Sequence, residues 1–205
     1  MPEMSKPYNP LDTENIGESL VSAMLRVDPV EIDQIPPFPG AGVYAIYYIG
    51  DFPVYAELAS RNRDGQFSQP IYVGKAIPSG GRKGTVALGQ VSGKYLFNRL
   101  KEHSESIAAA QNLDVADFYA RWLVVEPIWI PLAESLMINR SACVWNAIVE
   151  GFGNHDPGKN RHGGKRTKWD TLHPGRWWAE KGTPDEKWTA DKISQEAKTW
   201  ISQRV

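Results

Sequence analysis

The sequence has a single cysteine, almost no net charge and no long apolar run, and each absence excludes a class of protein. Cys143 is the only cysteine among 205 residues, which excludes an internal disulfide framework and a cysteine-rich zinc finger and favours a reducing compartment. With 23 Lys and Arg against 24 Asp and Glu, the net charge of −1 excludes a polybasic coat protein or an acidic disordered tail. The longest apolar stretch, residues 122–133, contains Glu126 and two prolines and is too short to span a bilayer.

The first fifteen residues also have no apolar core and no basic flank, so no secretion signal is predicted. A hydrophobic fraction of 41% and a charged fraction of 23% are typical of a globular protein, and the length is sufficient for one domain with a sizeable core. We therefore expect a soluble, cytoplasmic protein that is not associated with a membrane.

The small net charge conceals a strong asymmetry along the chain. Residues 1–39 have a net charge of −5, residues 40–150 are neutral, and residues 151–182 have a net charge of +4. A short basic segment rich in Gly, His and Trp within a neutral chain is typical of a phosphate-binding surface. The alternative is a solvated basic loop.

Hydrophobic periodicity predicts alternating helices and strands. The predicted helices span residues 13–27, about 94–110, 131–142 and a last amphipathic segment that includes 193–201. The predicted strands span residues 43–49, 70–73 and 117–126. Residues 35–42 form a proline-stiffened linker, 51–69 a polar, irregular insertion and 78–84 a Gly-rich loop.

This order predicts an α/β (α+β) fold, in which helices flank a small mixed or antiparallel sheet of three strands. Three parts are expected along the chain. They are an N-terminal helical arm and linker (1–39), a core (40–150, with the insertion at 50–69), and a basic extension with the C-terminal helix (151–205).

Polar residues recur at spacings that place them on common faces. Tyr44 and Tyr48 lie four residues apart in the first strand and share one face, whereas Tyr47 points the other way. If the second strand pairs with the first, Tyr72 shares a surface with Tyr44. Tyrosines paired in this way are more often core residues than catalytic ones.

The helical segments carry three further candidates. Arg99 and His103 are neighbours at i and i+4, a pair that is usually found on a solvated helix face. Glu134 is expected in the first turn of its helix, where a carboxylate commonly complements the helix dipole. Asn146 follows that helix.

Together these residues resemble the GIY-YIG nuclease family. The segments GVY (42–44) and YVG (72–74), the helical Arg99 and His103, the helical Glu134 and the later Asn146 match that family in order and kind. The resemblance implies a compact GIY-YIG nuclease domain. The literal string YYIG (47–50) only continues the first strand and is not the second motif on this interpretation.

Two features narrow the resemblance. The two tyrosine motifs are separated by 27 residues (45–71), where family members typically have about ten, which brings the hairpin geometry into question. This insertion, GKA after the second motif and the tail at 149–181 resemble a small group of type II restriction endonucleases that cut the palindrome CCGCGG. The resemblance therefore implies a site-specific endonuclease acting on double-stranded DNA in a prokaryotic cell, with a companion DNA methyltransferase.

The family's roles carry over to the matching positions. Glu134 would bind one Mg²⁺ per active site, with Mn²⁺ as an expected substitute, since such ions prefer oxygen ligands and keep several waters. Arg99 would neutralise charge on the phosphoryl oxygens. Either Tyr44, with its pKa lowered by Lys75 or His103, or His103 itself would activate the attacking water.

The same resemblance gives the remaining motif residues supporting roles. Tyr72 would position a phosphate or the water, and Asn146 would hold the site together by hydrogen bonds. A satisfied core hydroxyl and a turn residue are the respective alternatives.

Sequence recognition is expected in the basic segment and the Gly-rich loop. Arginines read guanine in the major groove, whereas lysines contact phosphates. The candidate base readers are Arg82, Arg161, Arg166 and Arg176, and the candidate phosphate contacts are Lys159, Lys165 and Lys168. A palindromic target is most simply read by a homodimer. Trp145, Trp177 and Trp178 are stacking candidates, although buried structural roles are favoured.

Three other interpretations compete with a restriction enzyme. A GIY-YIG nuclease of homing or repair type would need a separate recognition module, for which 205 residues leave little room. An HNH-type nuclease would bind metal through histidines of the tail, near Asn154, His155, Asn160 and His162. A non-catalytic DNA-binding protein has no reason to retain Tyr44, Arg99, His103 and Glu134 together.

Overall fold

An antiparallel sheet of four strands organises the chain in the computed structural model, which describes residues 9–78, 92–156, 158 and 163–205. The strand order is β1-β4-β2-β3. The strands are β1 (Val30–Glu31), β2 (Gly42–Tyr48), β3 (Tyr72–Ala76) and β4 (Phe118–Val124). β2 lies between β4 and β3, and β3 forms one edge of the sheet.

Strand β2 is central because its side chains are apolar or aromatic on both faces. All seven of its residues are buried. Tyr44 and Tyr48 belong to one hydrophobic cluster and Tyr47 to the other, as the alternation of side chains along a strand predicts. The sheet therefore separates two cores, and the residues on the two faces of β2 meet different helices.

Helices cover both faces of this sheet. They are α1 (Thr13–Leu25), α2 (Ala56–Ser60), α3 (Tyr95–Ala109), α4 (Ile130–Arg140), α5 (Val144–Ala147), α6 (Lys168–Leu172) and α7 (Ala190–Ser202). α3 and the C-terminal helices pack in the cluster that holds Tyr44, whereas α1 and α4 pack in the cluster that holds Tyr47.

The predicted fold class is confirmed, with two additions. The short strand β1 pairs with β4 at the far edge of the sheet. The insertion predicted to be irregular contains α2, and buried Asn62 ties it down by donating to the carbonyls of Tyr48 (3.0 Å) and Gln69 (2.8 Å). The insertion is thus an ordered part of the fold.

The division of the chain into three parts, at 1–39, 40–150 and 151–205, stays a prediction.

Membrane association was not expected from the sequence. Among the described residues, no helix combines the length and the apolar character needed to cross a bilayer.

The Gly-rich loop predicted at 78–84 lies, apart from Pro78, outside the described residues.

Candidate active site

The two tyrosine motifs meet across an antiparallel strand pair. In the register of β2 and β3, Tyr44 is opposite Gly74 and Ile46 is opposite Tyr72. The long insertion therefore leaves the hairpin pairing intact. The rings of Tyr44 and Tyr72 lie with their centroids 6.2 Å apart on the same face of the sheet, which confirms the predicted shared surface.

Gly74 provides the space that Tyr44 occupies. A Cβ atom built at position 74 would overlap the hydroxyl and Cζ of Tyr44. The YVG segment therefore requires a glycine because the Tyr44 side chain approaches position 74 so closely. The backbone conformation is not the reason, since Gly74 does not adopt a left-handed conformation. This contact links the second motif directly to the first.

Helix α3 places His103 against Tyr44. The Tyr44 hydroxyl and His103 Nε2 are 2.6 Å apart, and both side chains are buried. The ring of Tyr72 is 5.4 Å from that of His103. The interpretation of Arg99 and His103 as a solvated helix face does not hold for His103, which is 2% exposed.

Burial determines the protonation of this pair. It raises the pKa of Tyr44 well above its usual value, with the neighbouring Tyr72 adding to the effect and Arg99 opposing it. Burial likewise lowers the pKa of His103 well below its usual value, helped by the charge of Arg99. The expectation that His103 or Lys75 lowers the pKa of Tyr44 is wrong for this structure, because burial raises that pKa. The two side chains share a hydrogen bond in which both groups are neutral.

Arg99 lies one turn before His103 and points toward the C-terminal segment. Its Nη2 donates to the carbonyl of Gly153 at 2.6 Å, and its Nη1 lies 3.0 Å from Glu102 Oε2. His155 also contacts Nη1 and lies 3.3 Å from the same Glu102 oxygen. The guanidinium is thus held at the mouth of the site by groups from two segments.

Glu134 reaches the edge strand β3 from helix α4 and lies near the two motif tyrosines, since after burial its charge is a further cause of the raised pKa of Tyr44 and of Tyr72. Its Oε2 forms an ion pair with Lys75 Nζ at 2.6 Å, and the two side chains are 20% and 33% exposed. Because α4 begins at Ile130, Glu134 lies beyond the first turn, not within it as predicted. Complementing the helix dipole therefore does not account for this carboxylate, since that effect falls off within the first turn.

The donor groups of the site fit an ion that takes few protein ligands. The described residues contain no cluster of three or more His, Cys, Asp or Glu side chains able to hold a metal, which argues against a closed zinc site there. One partly exposed carboxylate, Glu134, fits Mg²⁺, because that ion keeps several waters and takes other oxygens from phosphate groups. Lys75 neutralises this carboxylate in the structure.

Asn146 fastens the edge strand that carries Tyr72. Its side chain accepts a hydrogen bond from the amide of Val73 at 2.9 Å and donates to the carbonyl of the same residue at 2.8 Å. Paired hydrogen bonds of this kind replace the missing neighbour strand at the edge of a sheet. The geometry is the one expected of a residue that holds the site together.

Four of the seven predicted DNA contacts lie among the described residues, namely Lys165, Arg166, Lys168 and Arg176. Lys165 is 68% exposed and pairs with Asp185. Lys168 is largely covered, paired with Glu196 at 3.1 Å and lying over the ring of Trp188. Arg166 donates to the carbonyl of Glu180, while its buried Nε has no hydrogen-bond partner among the described residues. Three further predicted DNA contacts, Arg82, Lys159 and Arg161, lie outside the described residues.

The prediction that Arg176 reads bases is contradicted by its burial. Arg176 is 3% exposed, and its Nε donates to Asp170 at 2.6 Å. A guanidinium enclosed in this way cannot reach a base edge without breaking an internal ion pair. Trp145 is buried as expected, whereas Trp177 is 57% exposed, contrary to the favoured buried role.

Sequence reasoning missed the contribution of the turn at 151–155. The ring of Phe152 stacks on His103 with 4.4 Å between centroids, and Gly153 and His155 contact Arg99. Glu102 was detectable, since a residue three positions after Arg99 shares its helix face. Phe152 and Gly153 have no local signal, because they approach the site through the tertiary fold alone. His155 contacts Arg99, which does not support the HNH-type interpretation of the tail.

Comparison with models of protein families gives a match over most of the chain. The family model described as the Eco29kI GIY-YIG domain matches residues 36–201, which include β2, β3, α3, α4 and the whole basic segment. No curated protein matches the chain.

Proposed function

The chain belongs to the Eco29kI GIY-YIG domain family, and from this premise we propose that it is a type II restriction endonuclease. It hydrolyses phosphodiester bonds of double-stranded DNA at a GC-rich palindrome, CCGCGG. It uses one Mg²⁺ per active site and acts as a homodimer in the cytoplasm of a prokaryotic cell, where a DNA methyltransferase protects the host sites. The target sequence rests on the resemblance of the tail at 149–181.

The observation that carries the proposal is the convergence of four motif residues on the face of the sheet that carries Tyr44. Tyr44, Tyr72 and His103 pack together, and Arg99 stands one helical turn from His103. A buried tyrosine–histidine hydrogen bond alone does not distinguish a nuclease, since Tyr55 and His173 also form one. The pair of Tyr44 and His103 differs because it lies beside Tyr72 and one helical turn from Arg99, where a water that attacks phosphorus could lose its proton next to a cation.

The buried pair supplies a route for that proton. His103 Nε2, neutral at pH 7 because of its lowered pKa, accepts the proton of the Tyr44 hydroxyl across their 2.6 Å hydrogen bond. Tyr44 oxygen in turn takes a proton from the attacking water. This proton route gives both candidates for the general base a role: Tyr44 accepts the proton of the water, and His103 accepts the proton of Tyr44.

Two cations act on the phosphate. Arg99 is permanently charged and neutralises the charge that grows on the phosphoryl oxygens. To do so it exchanges Glu102, its partner at 3.0 Å, for the phosphate. Lys75, which pairs with Glu134 at 2.6 Å, supplies the second positive charge near the DNA backbone.

Glu134, together with waters and phosphate oxygens, would hold the metal ion. When bound, Mg²⁺ supplies polarisation of the scissile phosphate and stabilisation of the leaving 3′ oxygen. The remaining oxygen of Glu134 is available to such an ion while Lys75 contacts Oε2. Among the described residues Arg166 is the proposed base reader, and Lys165 and Lys168 are the proposed phosphate contacts. Arg82 and Arg161 are further candidate base readers, and Lys159 is a further candidate phosphate contact.

Digestion of a plasmid that contains a single CCGCGG sequence tests the proposal. With Mg²⁺ we expect one linear product, with Mn²⁺ a similar product, and with a chelator none. Sequencing of the ends gives the cut position. Cleavage at scattered positions, or cleavage that does not require a metal, would contradict the assignment as a site-specific restriction enzyme. Cleavage at a different discrete site would change only the proposed target.

A further inference from the structure

An ion pair lies in the interior of the C-terminal segment. Arg176 Nε and Asp170 Oδ1 are 2.6 Å apart, and each side chain is 2% exposed. The guanidinium carbon lies 4.4 Å from the ring centroid of Trp169 and 4.6 Å from that of Trp178. A pair this deeply buried is costly to desolvate, and its best-attested use is to fix one conformation.

The remaining N–H groups of Arg176 hold a single turn of the chain. Its Nη1 donates to the carbonyls of Phe152 (3.0 Å) and Asn154 (3.2 Å), and its Nη2 donates to that of Gly151 (3.1 Å). A fork of fixed N–H groups suits three converging carbonyls, whereas the compact ammonium of lysine does not. Arg176 therefore sets the path of residues 151–154.

Gly151 fits this path for a steric reason. Its φ of +107° is a conformation that L side chains rarely adopt, and a Cβ there would overlap the side chain of Thr167. Thr167 in turn donates from Oγ1 to Asp170 Oδ2 at 2.6 Å. The turn, Thr167, Asp170 and Arg176 thus form one connected arrangement.

The same turn faces the candidate active site. The Phe152 ring is stacked on His103 at an interplanar angle of 19° and meets the edge of Tyr72 with 5.0 Å between centroids. The Gly153 carbonyl accepts from Arg99 Nη2 at 2.6 Å. Phe152 covers His103 against solvent, and Gly153 directs Arg99.

We propose that Asp170 and Arg176 are positioning residues for DNA cleavage, which hold residues 151–154 so that Phe152 shields His103 and Gly153 orients Arg99. This inference rests on the proposed nuclease function. It assigns to the basic segment a part in the chemistry of the active site, in addition to its part in DNA recognition. Arg176 acts from within the protein and makes no contact with DNA.

Substitution of Arg176 by Lys tests the role of its fork. Arg176→Lys keeps the charge beside Asp170 and loses contacts with the carbonyls of residues 151–154. At saturating DNA with Mg²⁺, we expect the single-turnover rate constant to fall about 100-fold, as is typical when reacting groups are misplaced by about an ångström. DNA affinity measured without Mg²⁺ stays unchanged. Arg204→Lys is the matched control, since Arg204 is exposed and stacks on Trp200.

The pH profile separates positioning from a general loss of structure. When Phe152 no longer covers His103, water reaches the imidazole and its pKa rises toward the ordinary value. The acid limb of the single-turnover profile therefore moves to higher pH in Arg176→Lys. A reduced rate with an unshifted acid limb overturns the proposal, and so does an unchanged rate. Weaker DNA binding with a normal rate at saturation also overturns it, because Arg176 would then contact DNA.

Two further variants keep the test decisive. If Arg176→Lys does not fold, Asp170→Asn removes the charge with little change of shape and carries the same expectations. If that variant also fails to fold, Phe152→Leu is the third choice. It leaves the contacts between Arg176 and the backbone carbonyls in place and uncovers His103. If folded Phe152→Leu has the wild-type rate and pH profile, the proposal is overturned. Failure of the wild-type protein to cut DNA overturns the proposed function and this inference together, whereas wild-type cleavage with unaffected variants overturns the inference alone.

Discussion

The hydroxyl of Tyr44 lies 2.6 Å from Nε2 of His103, and neither side chain is more than 2% exposed. Strand β2 and helix α3 meet at this contact, which joins two residues that are 59 positions apart in the sequence. Burial opposes charge on both groups, since it raises the pKa of the phenol and lowers that of the imidazole. Both members of the hydrogen-bonded pair are therefore neutral.

This protonation state predicts the pH dependence of cleavage. His103 must be unprotonated to accept a proton, and its pKa lies well below 6.5, so protonation begins only at more acidic pH. We expect the single-turnover rate to be flat between pH 8 and 6 and to fall below that range. A rate that falls with a midpoint at 6.5 or above would contradict the assignment.

Removal of the Tyr44 hydroxyl breaks the proposed proton route while leaving its ring in the core. Tyr44→Phe is expected to reduce the single-turnover rate by about 100-fold or more, in the range typical of general base catalysis. Tyr47→Phe serves as the control, because Tyr47 is buried on the opposite face of β2. Equal rates for the two variants would remove Tyr44 from the mechanism.

Gly74 gives a second test of the same contact. In Gly74→Ala the new methyl group overlaps the Tyr44 hydroxyl, so the phenol must turn away from His103, and we expect a rate loss of about 100-fold. Circular dichroism should show the native fold. Gly17→Ala in α1 is the control, since its Cβ meets Leu136 at an ordinary 3.5 Å. Full activity of Gly74→Ala would show that the Tyr44–His103 hydrogen bond is dispensable.

Residues that share a strand or a helix were predictable from the sequence, and residues joined through the tertiary fold were not. Alternation along β2 placed Tyr44 and Tyr47 on opposite faces, and the antiparallel pairing then brought Tyr72 to Tyr44. Arg176 was predicted to read bases because it lies in the basic segment, but it is buried. Its partners at 151–154 lie more than twenty residues away, and no local pattern indicates that contact.

The insertion was harder to predict for a related reason. Asn62 fixes it through hydrogen bonds to backbone groups of Tyr48 and Gln69. An asparagine in a polar segment is ordinarily a turn residue, so no sequence pattern indicates that Asn62 is completely buried. The same is true of His173, whose ring accepts from Tyr55 at 2.7 Å in the core.

His173 predicts a pH-dependent stability that is independent of catalysis. Burial lowers its pKa to about 3, whereas in the unfolded chain it titrates near 6.5. Below 6.5 the unfolded state binds a proton that the native state does not. The free energy of unfolding therefore falls with pH from about 6.5 toward 3, by up to about 1.4 kcal/mol per pH unit for this group.

Urea denaturation at pH 7 and at pH 5 measures that dependence. His173→Gln is expected to be less stable than the wild type at pH 7, because Tyr55 and Asn112 lose their ring partner. It should also lose less stability on acidification, since this titrating group is gone. An equal loss of unfolding free energy between pH 7 and pH 5 in the two proteins would contradict the lowered pKa of His173.

The basic segment is predicted to bind DNA through two kinds of side chain. Lys165→Ala should weaken binding to all sequences and reduce the salt slope by about 1, as expected for a phosphate contact. Arg166→Ala should cost about 1–3 kcal/mol of preference for the cognate site. Lys198→Ala, an exposed change on α7, is the control. If neither tail variant alters DNA affinity, the charge of this segment is only a solvated surface.

The role of Glu134 is the prediction on which the metal assignment depends. Glu134→Gln keeps the shape of the side chain and removes the charge that would hold Mg²⁺. Because no cluster of carboxylates can replace it among the described residues, we expect cleavage to fall by several orders of magnitude, with phosphate polarisation and leaving-group stabilisation lost together. Loss of the ion pair with Lys75 should cost about 1 kcal/mol or less, since both groups are partly exposed.

DNA binding by Glu134→Gln should survive and become tighter. The variant removes a negative charge near the phosphates and frees the Lys75 ammonium, now 2.6 Å from the carboxylate, to attract them. Glu18→Gln is the control, because Glu18 is also ion-paired, with Arg140 of α4 at 3.7 Å. Single-turnover cleavage and gel-shift affinity are measured on the same preparations. A Glu134→Gln protein that cuts at nearly the wild-type rate would show that this carboxylate serves only the ion pair with Lys75, and the one-metal mechanism would then be wrong.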